Sequence, residues 1–580
     1  MPQSPNYAIL NLLIMSTINY YATYVMGSAS AVTPILAVFL ATAIITTILA
    51  APIDRKFVRR NTMILSAILY MLGKVWFVRN PYSMGAIYVN GITVAVSMNL
   101  AFVLFNTNRN NIADLIDWNN GRPAAGYIRR FPMPEITYSP EFLDLCAAKL
   151  GAMVQIPTVS RAENEDLTEF FRFHKVLEEQ FPLLHTKLEK TVLNGTLLYR
   201  WPGSDANRRP ILLMGHQDVV PASDEGWTVP AYSGKVVDGN LYGRGSLDCK
   251  STMFVEMEAV EQLLAEGFTP VCDVWLEFSI NEETGGDGAA AAMRYLRDKG
   301  LRFAMVMDEG GAVMDEAVPG MDRPYAMIGI TEKGYMDVKI TARGKGGHSS
   351  TPPRNTPAAR LFAFANEIEK KRPFEKKLLS EVEEMFRCMA PSMPVHLGFV
   401  LKNVKLLKPL IMALMPKISP FGEAVMATTC CFTMMQGSGA PNVIPKEPWL
   451  IANLRTSVHQ NCEASLAVLK QYADKYDLEL EVLMQRDASP VSNIHSQEYG
   501  YLVDCIHRHF PDAGTAPYVI MGGTDCRHFH ALTENALRFC PVRMTNAQSA
   551  SCHAVDENVT VSALAEGVEF FKMFLKGYDL

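Results

Sequence analysis

Residues 211–214 read Ile-Leu-Leu-Met and stop at Gly215-His216-Gln217-Asp218. A run this short and apolar, ended by a glycine, specifies a buried strand. It sets His216 and Asp218 where a strand emits its loop, and in an open α/β sheet such loops carry the reacting groups. The rhythm recurs. Residues 274–280 read as a strand ending in Asn281-Glu282-Glu283-Thr284-Gly285-Gly286, and 303–307 as a strand ending in Asp308-Glu309-Gly310-Gly311. Helical spacing fills 251–266 and 289–299. Strand, loop carboxylate, helix, strand is the order of a mixed, largely parallel sheet covered by helices, so the fold class is α/β.

The pattern changes at residue 335. Residues 336–342 alternate like a half-exposed strand, 357–370 are helical, 425–435 and 449–455 are strands, 464–476 a helix and 478–484 a strand. That is β-α-β-β-α-β, the split βαβ motif, with 372–423 as an insertion. The insertion contains 409–415, an apolar stretch that suits a lip near lipid. The expected division is a first catalytic part over 139–334, a lid over 335–486, and a return over 487–580 that completes the first sheet. A chain of 580 residues is long enough for more than one core.

The first hundred residues differ in composition. No charged residue precedes Asp54, and 7–26, 31–53, 62–78 and 83–105 are apolar runs near the length that spans a bilayer. No basic leader with a single short apolar core is present, so these read as a retained multi-pass anchor over 1–105, followed by a linker over 106–138. The basic loop Asp54-Arg55-Lys56-Phe57-Val58-Arg59-Arg60 is placed in the cytoplasm by positive-inside bias. With four spans the catalytic part falls on the same side, and 11 scattered cysteines with no C-x-x-C pair suit reduced thiols there. A net charge of −6 gives nucleic acid no electrostatic purchase.

The strand-end groups define the chemistry. They are His216, Asp218, Asp248 (behind Gly243-Arg244-Gly245), Glu282, Glu283 and Asp308, with His553 far down the chain. Two imidazoles and several carboxylates suit zinc or a similar divalent ion. In two-metal hydrolytic sites a carboxylate bridges the ions. Asp248 is the natural bridge, with His216 and Asp308 completing one ion and Glu283 and His553 the other. Glu282, beside a ligand but not one itself, is then the general base. Asp218 follows His216 by two residues, shares its side of the strand, and can accept the other imidazole N–H. Each motif alone is weak, since most H-x-D pairs and adjacent glutamates are solvated surface; the ordered set is what carries weight.

The order H-x-D-V-V-P, G-R-G-x-x-D-x-K, E-E-x-G-G, D-E-G-G and G-H-S-S-x-P-P resembles the zinc metallopeptidase family that includes carboxypeptidase S, carboxypeptidase G and aminoacylase. The nearest branch is that of carboxypeptidase S and the N-acyl amino acid synthase/hydrolases. The resemblance runs from about residue 139 to about 575 and takes in Pro441-Asn442-Val443-Ile444-Pro445 and Gly522-Gly523-Thr524-Asp525. It implies two zinc ions per subunit and a ferredoxin-like lid that often forms a homodimer. His348 matches a lid histidine that polarises the scissile carbonyl, and Asn442 and Arg455 match lid residues that contact substrate. A guanidinium at Arg455 would select a free carboxylate. Gly523 and Thr524 are expected to line the substrate pocket.

Two features depart from the family. Carboxypeptidase S has one membrane segment rather than several. Cys249 follows Asp248 where relatives commonly have Asp, at a peptide bond that is cis in the family. The leading expectation is a membrane-anchored carboxypeptidase or amidohydrolase acting on a peptide or N-acyl amino acid. The rival is a fatty-acyl amino acid hydrolase or synthase. A non-catalytic membrane scaffold would have lost a ligand or the base, and none is missing.

Overall fold

The computed structural model describes residues 116–117, 122–123, 138–161, 166–318 and 320–580. The chain divides into two units, Met1–Pro132 and Met133–Leu580. In the first, Ile116–Asp117 pairs antiparallel with Arg122–Pro123. The four expected spans lie outside the described residues. Among the described residues, no helix is long and apolar enough to cross a membrane.

The second unit opens with α1 (Pro140–Val154). Ser139 caps it by accepting from the Phe142 N–H, and Pro140 sits in the first turn, where its missing donor costs nothing. Then come β1 (Glu189–Leu193), β2 (Thr196–Trp201), β3 (Ile211–His216), α2 (Lys250–Ala265), β4 (Val274–Ser279), α3 (Gly288–Asp298), β5 (Met305–Asp308), β6 (Val313–Met314) and β7 (Tyr325–Glu332). The lid supplies β8 (Tyr335–Thr341), β9 (Gly347–His348), α4 (Pro357–Lys371), α5 (Val404–Ile418), β10 (Thr429–Gln436), β11 (Val443–Ile444), β12 (Trp449–Arg455), α6 (Cys462–Lys475) and β13 (Glu479–Arg486). The return adds β14 (Gly514–Ile520), β15 (Ala536–Arg538), β16 (Arg543–Met544) and α7 (Val561–Gly577).

The ten-stranded main sheet runs β16-β6-β7-β15-β5-β3-β4-β2-β1, with β14 paired to β7. Its centre is parallel: β3 lies between β4 and β5, and β5 pairs with β15. Every residue of β3 is buried because both faces are covered. Ile211 and Leu213 face the core made with α1, α2 and α7, while Leu212 and Met214 face α3 and the turn around Phe529. The register sets His216 opposite Ser279. Strand ends therefore coincide, and their loops open on one crevice.

The lid sheet is separate and antiparallel, in the order β10-β12-β8-β13. Alternate residues of β8 and β12, among them Val338, Ile340, Ala452 and Leu454, bury against α4 and α6. A two-residue ladder, β9 with β11, stands apart from it. The insertion is helical. The apolar stretch 409–415 lies on α5, with Ile411 buried and Leu410 and Leu414 each 48% exposed. The strand expected from 425 starts at Thr429, because Pro420–Ala424 closes the insertion as a short helix.

Candidate metal centre

His216 is the last residue of β3. Its Nδ1 is 2.9 Å from the Asp218 carbonyl oxygen and 3.3 Å from the Asp218 carboxylate. An Nδ1–H donated there leaves Nε2 as the lone-pair nitrogen. Nε2 lies 3.1 Å from Asp248 Oδ1 and 3.7 Å from Glu309 Oε1. The other Asp248 oxygen is 3.1 Å from His553 Nε2, which is in turn 3.0 Å from Glu283 Oε2. Asp248 thus stands between two imidazoles, one from each side of the lid in sequence.

These donors fall into two groups that share Asp248. His216, Asp248, Cys249 and Glu309 form one; Asp248, Glu283 and His553 form the other. Within each group the donor atoms lie within 4.8 Å of one another. The set fits divalent cations of the zinc type: nitrogen, carboxylate and thiol donors gathered in one crevice, buried at His216 and Cys249 and open at His553. Glu283 gives independent support, since its Oε1 is buried without a hydrogen-bond partner. Like charge tells the same story. Burial, with Asp248 adding to it, pushes the Glu309 carboxyl well above the usual carboxylate range. Hydrogen bonds donated to the Asp248 and Glu283 carboxylates push the His553 imidazole up to about 10.

Asp308 differs from expectation. Its carboxylate accepts the Glu309 N–H at 2.9 Å and the Cys526 N–H at 2.7 Å, so it fixes backbone. The acid grouped with His216 and Asp248 among the described residues is Glu309. Within this pair the Asp308 carboxylate turns to backbone N–H groups while Glu309 turns to His216.

The loop that carries Asp248 is held by Glu557. One Glu557 oxygen accepts the N–H groups of Gly245, Leu247 and Asp248 at 2.9–3.0 Å, and the other pairs with the Arg244 guanidinium. Gly245 has φ +84°, and a Cβ there would meet Val219 Cγ1 at 2.5 Å, so only glycine fits the turn. Cys249 accepts the His216 N–H on its sulfur at 3.0 Å, is buried, and follows a cis peptide bond from Asp248. Asp218 accepts from Ser160 Oγ at 2.6 Å and from the N–H groups of Glu282 and Glu283 at 3.1 Å. It therefore positions the whole Glu282-Glu283 pair as well as His216.

Glu282 is nearly buried beside Arg527, whose Nη1 is 3.7 Å from its Oε1. Burial, then the neighbouring Asp525, push the Glu282 carboxyl well above its usual range. The remaining expected residues lie off this cluster. His348 is exposed, with Nδ1 2.8 Å from Ser350 Oγ. The Asn442 carbonyl accepts the Ser349 N–H at 3.0 Å. Arg455 stacks 4.7 Å over the Tyr335 ring. Thr524 donates its N–H and hydroxyl to Glu332, which is itself paired with buried Arg538 at 2.6 Å. Gly523 packs against Arg486. The sequence reading missed Glu309, Glu557, Arg486 and Arg527. Glu557 closes the same run as His553, and Arg244 sits between two glycines; opposite charge in two such motifs was the available signal.

A family model described as peptidase family M20/M25/M40 matches residues 212–577. A second, described as MFS/sugar transport protein, matches residues 7–129. The probable carboxypeptidase S-like 2 of Dictyostelium discoideum is 31% identical over 443 residues, covering 75% of this chain and 85% of that protein. The N-fatty-acyl-amino acid synthase/hydrolase of Xenopus tropicalis is 32% identical over 436 residues, covering 74% and 85%. Among solved structures, an M20 family metallo-carboxypeptidase from Sulfolobus solfataricus matches with a TM-score of 0.55 and 18% identity, covering 74% of this chain and 98% of that one.

Proposed function

The chain belongs to peptidase family M20/M25/M40 and is a metallopeptidase or amidohydrolase of the carboxypeptidase S-like kind, and from that premise we propose that it hydrolyses a peptide or N-acyl amide bond and releases an amino acid with a free carboxylate. The observation that carries this reading is the set of donors around Asp248 with a nearly buried Glu282, outside both donor groups, beside it. His216, Asp248 and Glu309 would hold one cation, and Asp248, Glu283 and His553 a second, which we take as zinc. When bound, such ions supply the Lewis acidity that acidifies water and polarises the scissile carbonyl.

The chain's own residues do the rest. Glu282 takes a proton from the attacking water as its oxygen joins the carbonyl carbon. When the C–N bond breaks, Glu282 passes that proton to the departing nitrogen. Burial suits it to this exchange, because desolvation raises the affinity of the carboxylate for the proton it takes and then returns. Asp218 keeps the Glu282 backbone and the His216 ring in place through both steps.

A second reading is favoured by one cavity. About 340 Å³ of space adjoins Asp248 and Glu309 and is lined by Met314, Met327, Phe421, Val542 and Met544. Such a lining suits an aliphatic acyl chain better than a polar peptide. Membrane attachment through residues 7–105 belongs to the same proposal, supported by the transporter-family match and by the absence of charge before Asp54.

The test uses full-length chain from washed membranes, assayed with dipeptides and with N-acyl amino acids of short and long chain. Release from either class, lost in Glu282→Ala, is expected. Release from long acyl substrates alone would select the second reading. Release that survives Glu282→Ala would reject the mechanism, and recovery of the chain in the soluble fraction would remove the membrane part.

A further inference from the structure

The helical insertion of the lid presents a face that hydrolysis leaves unused. α5 packs inward through Val404 and Ile411, with Leu407, Met412 and Met415 partly buried in the same cluster. Steps of three and four residues put these on one side of the helix. The opposite side, which a helix facing water makes polar, carries Leu406, Leu410, Ala413 and Leu414. Leu406 is 80% exposed. The preceding helix, Val395–Lys402, adds Leu397 and Phe399, the latter 65% exposed. A helix apolar all round belongs in a core or in lipid, and only one side of this one is covered.

The charge around that face has one sign. From Val395 to Ile418 the chain holds four lysines and no acid. Lys408 is used within the fold, donating to Glu383 and to the Leu378 carbonyl at 2.7 and 2.8 Å. Lys402, Lys405 and Lys417 are exposed and, among the described residues, make no ion pair. Protein interfaces are poor in lysine, whereas an anionic lipid surface attracts it and takes apolar side chains in below the headgroups. Lysine stems let the ammonium groups stay at the headgroups while the leucines go deeper.

The same insertion adjoins the cavity beside the metal donors. Phe421, in its closing helix Pro420–Ala424, is partly exposed and also lines the space next to Asp248 and Glu309. Met314 and Met327 line that space too, and both belong to the cluster under α5. Buried Lys333 fixes the junction, donating to the Ala424 and Ala427 carbonyls at 2.9 and 2.8 Å. Apolar side chains therefore run from the outer face to the metal donors.

We propose that the outer face of the insertion, the exposed leucines of α5 with Lys402, Lys405 and Lys417, docks on the surface of an anionic lipid bilayer and sets the mouth of the cavity at Phe421 against it. This contact is separate from the anchoring through 7–105 and does not depend on which bond is cleaved. Its consequence for substrate rests on the acyl-chain reading above. An acyl chain enters the cavity from the membrane, so it never has to leave lipid for water before it is bound.

The test combines full-length chain with phosphatidylcholine vesicles, with and without phosphatidylserine, that contain a brominated lipid to quench tryptophan. Leu406→Trp and Leu410→Trp are compared with Val192→Trp, an exposed position on the main sheet, after subtraction of the wild-type signal. Quenching at 406 and 410 but not at 192, rising with phosphatidylserine, is expected. Replacing Lys402, Lys405 and Lys417 by Gln should lower the docked-to-undocked ratio about fivefold for each lysine lost. No quenching at 406 and 410, quenching equal to that at 192, or indifference to phosphatidylserine would each overturn the proposal. A dimer in detergent that Leu410→Glu breaks, with no quenching in vesicles, would give the face to a second copy and overturn it too. Leu406→Glu combined with Leu410→Glu should lower kcat/KM for long N-acyl amino acids held in the vesicles roughly tenfold and leave short ones unchanged. Quenching by a chain that turns over no long acyl substrate would keep the docking and reject the acyl-chain reading. Long-chain turnover without quenching would do the reverse.

Discussion

At the level of single residues, the site depends on groups that never touch substrate. Glu557 holds three backbone N–H groups and the Arg244 guanidinium, and through them the Asp248 loop. Removing it leaves a buried cation and three donors without partners. Glu557→Ala is therefore expected to cost about 3–5 kcal/mol of stability, the loss typical of breaking a buried pair. It should also weaken metal binding roughly 10–100-fold, as loss of a group supporting a ligand does. Denaturant unfolding and titration against a competing chelator measure the two effects; a variant unchanged in both would show that Asp248 is held by other means. His216, Asp248, Glu283 and His553, which the structure brings together, were legible because each sits in a short motif where a strand or helix pattern breaks off. Glu309 was not. Two adjacent acids look alike in sequence, and only side-chain direction at the end of β5 separates the one that bonds backbone from the one that faces His216. Glu557 lay in plain view, but its partner Arg244 is 313 positions away.

At the level of elements, the lid was the easier half to read. The alternating burial of β8 and β12 is what a sheet with one covered face writes into sequence. β7 escaped notice for the opposite reason: all eight of its residues are buried, so no alternation marks it. The helices of the lid are tied by Glu367 on α4, which accepts from Lys475 on α6 and from the Tyr476 hydroxyl, with Lys371 one turn on. Hydrogen bonds from Lys371, Lys475 and Tyr476 lower its pKa from 4.5 to about 2. A carboxyl whose folded pKa is depressed stabilises the fold above its unfolded pKa, and that contribution is lost as pH falls through the folded value. The stability difference between wild type and Glu367→Gln should thus be full above about pH 4.5 and vanish near pH 2. Unfolding by denaturant across that range measures it, and a pH-independent difference would contradict the assignment.

At the level of the whole molecule, the active crevice is assembled from two stretches separated by the lid. His216, Asp248, Glu282, Glu283 and Glu309 precede β8; Arg527, His553 and Glu557 follow β13. The sheet makes this workable, since β14, β15 and β16 return to pair with β7, β5 and β6. The return was legible only as motifs that needed a partner, because its strands are short and one holds three residues. The N-terminal runs were read from composition and length, which carry no register and no contact. The most direct test of the account is the metal content of purified full-length chain, wild type beside Asp248→Asn, determined by elemental analysis after dialysis against metal-free buffer. The account predicts about two zinc per wild-type chain, with both diminished in the variant because Asp248 serves both donor groups. A wild-type chain that retains no divalent metal, or a variant that retains as much as wild type, would contradict it.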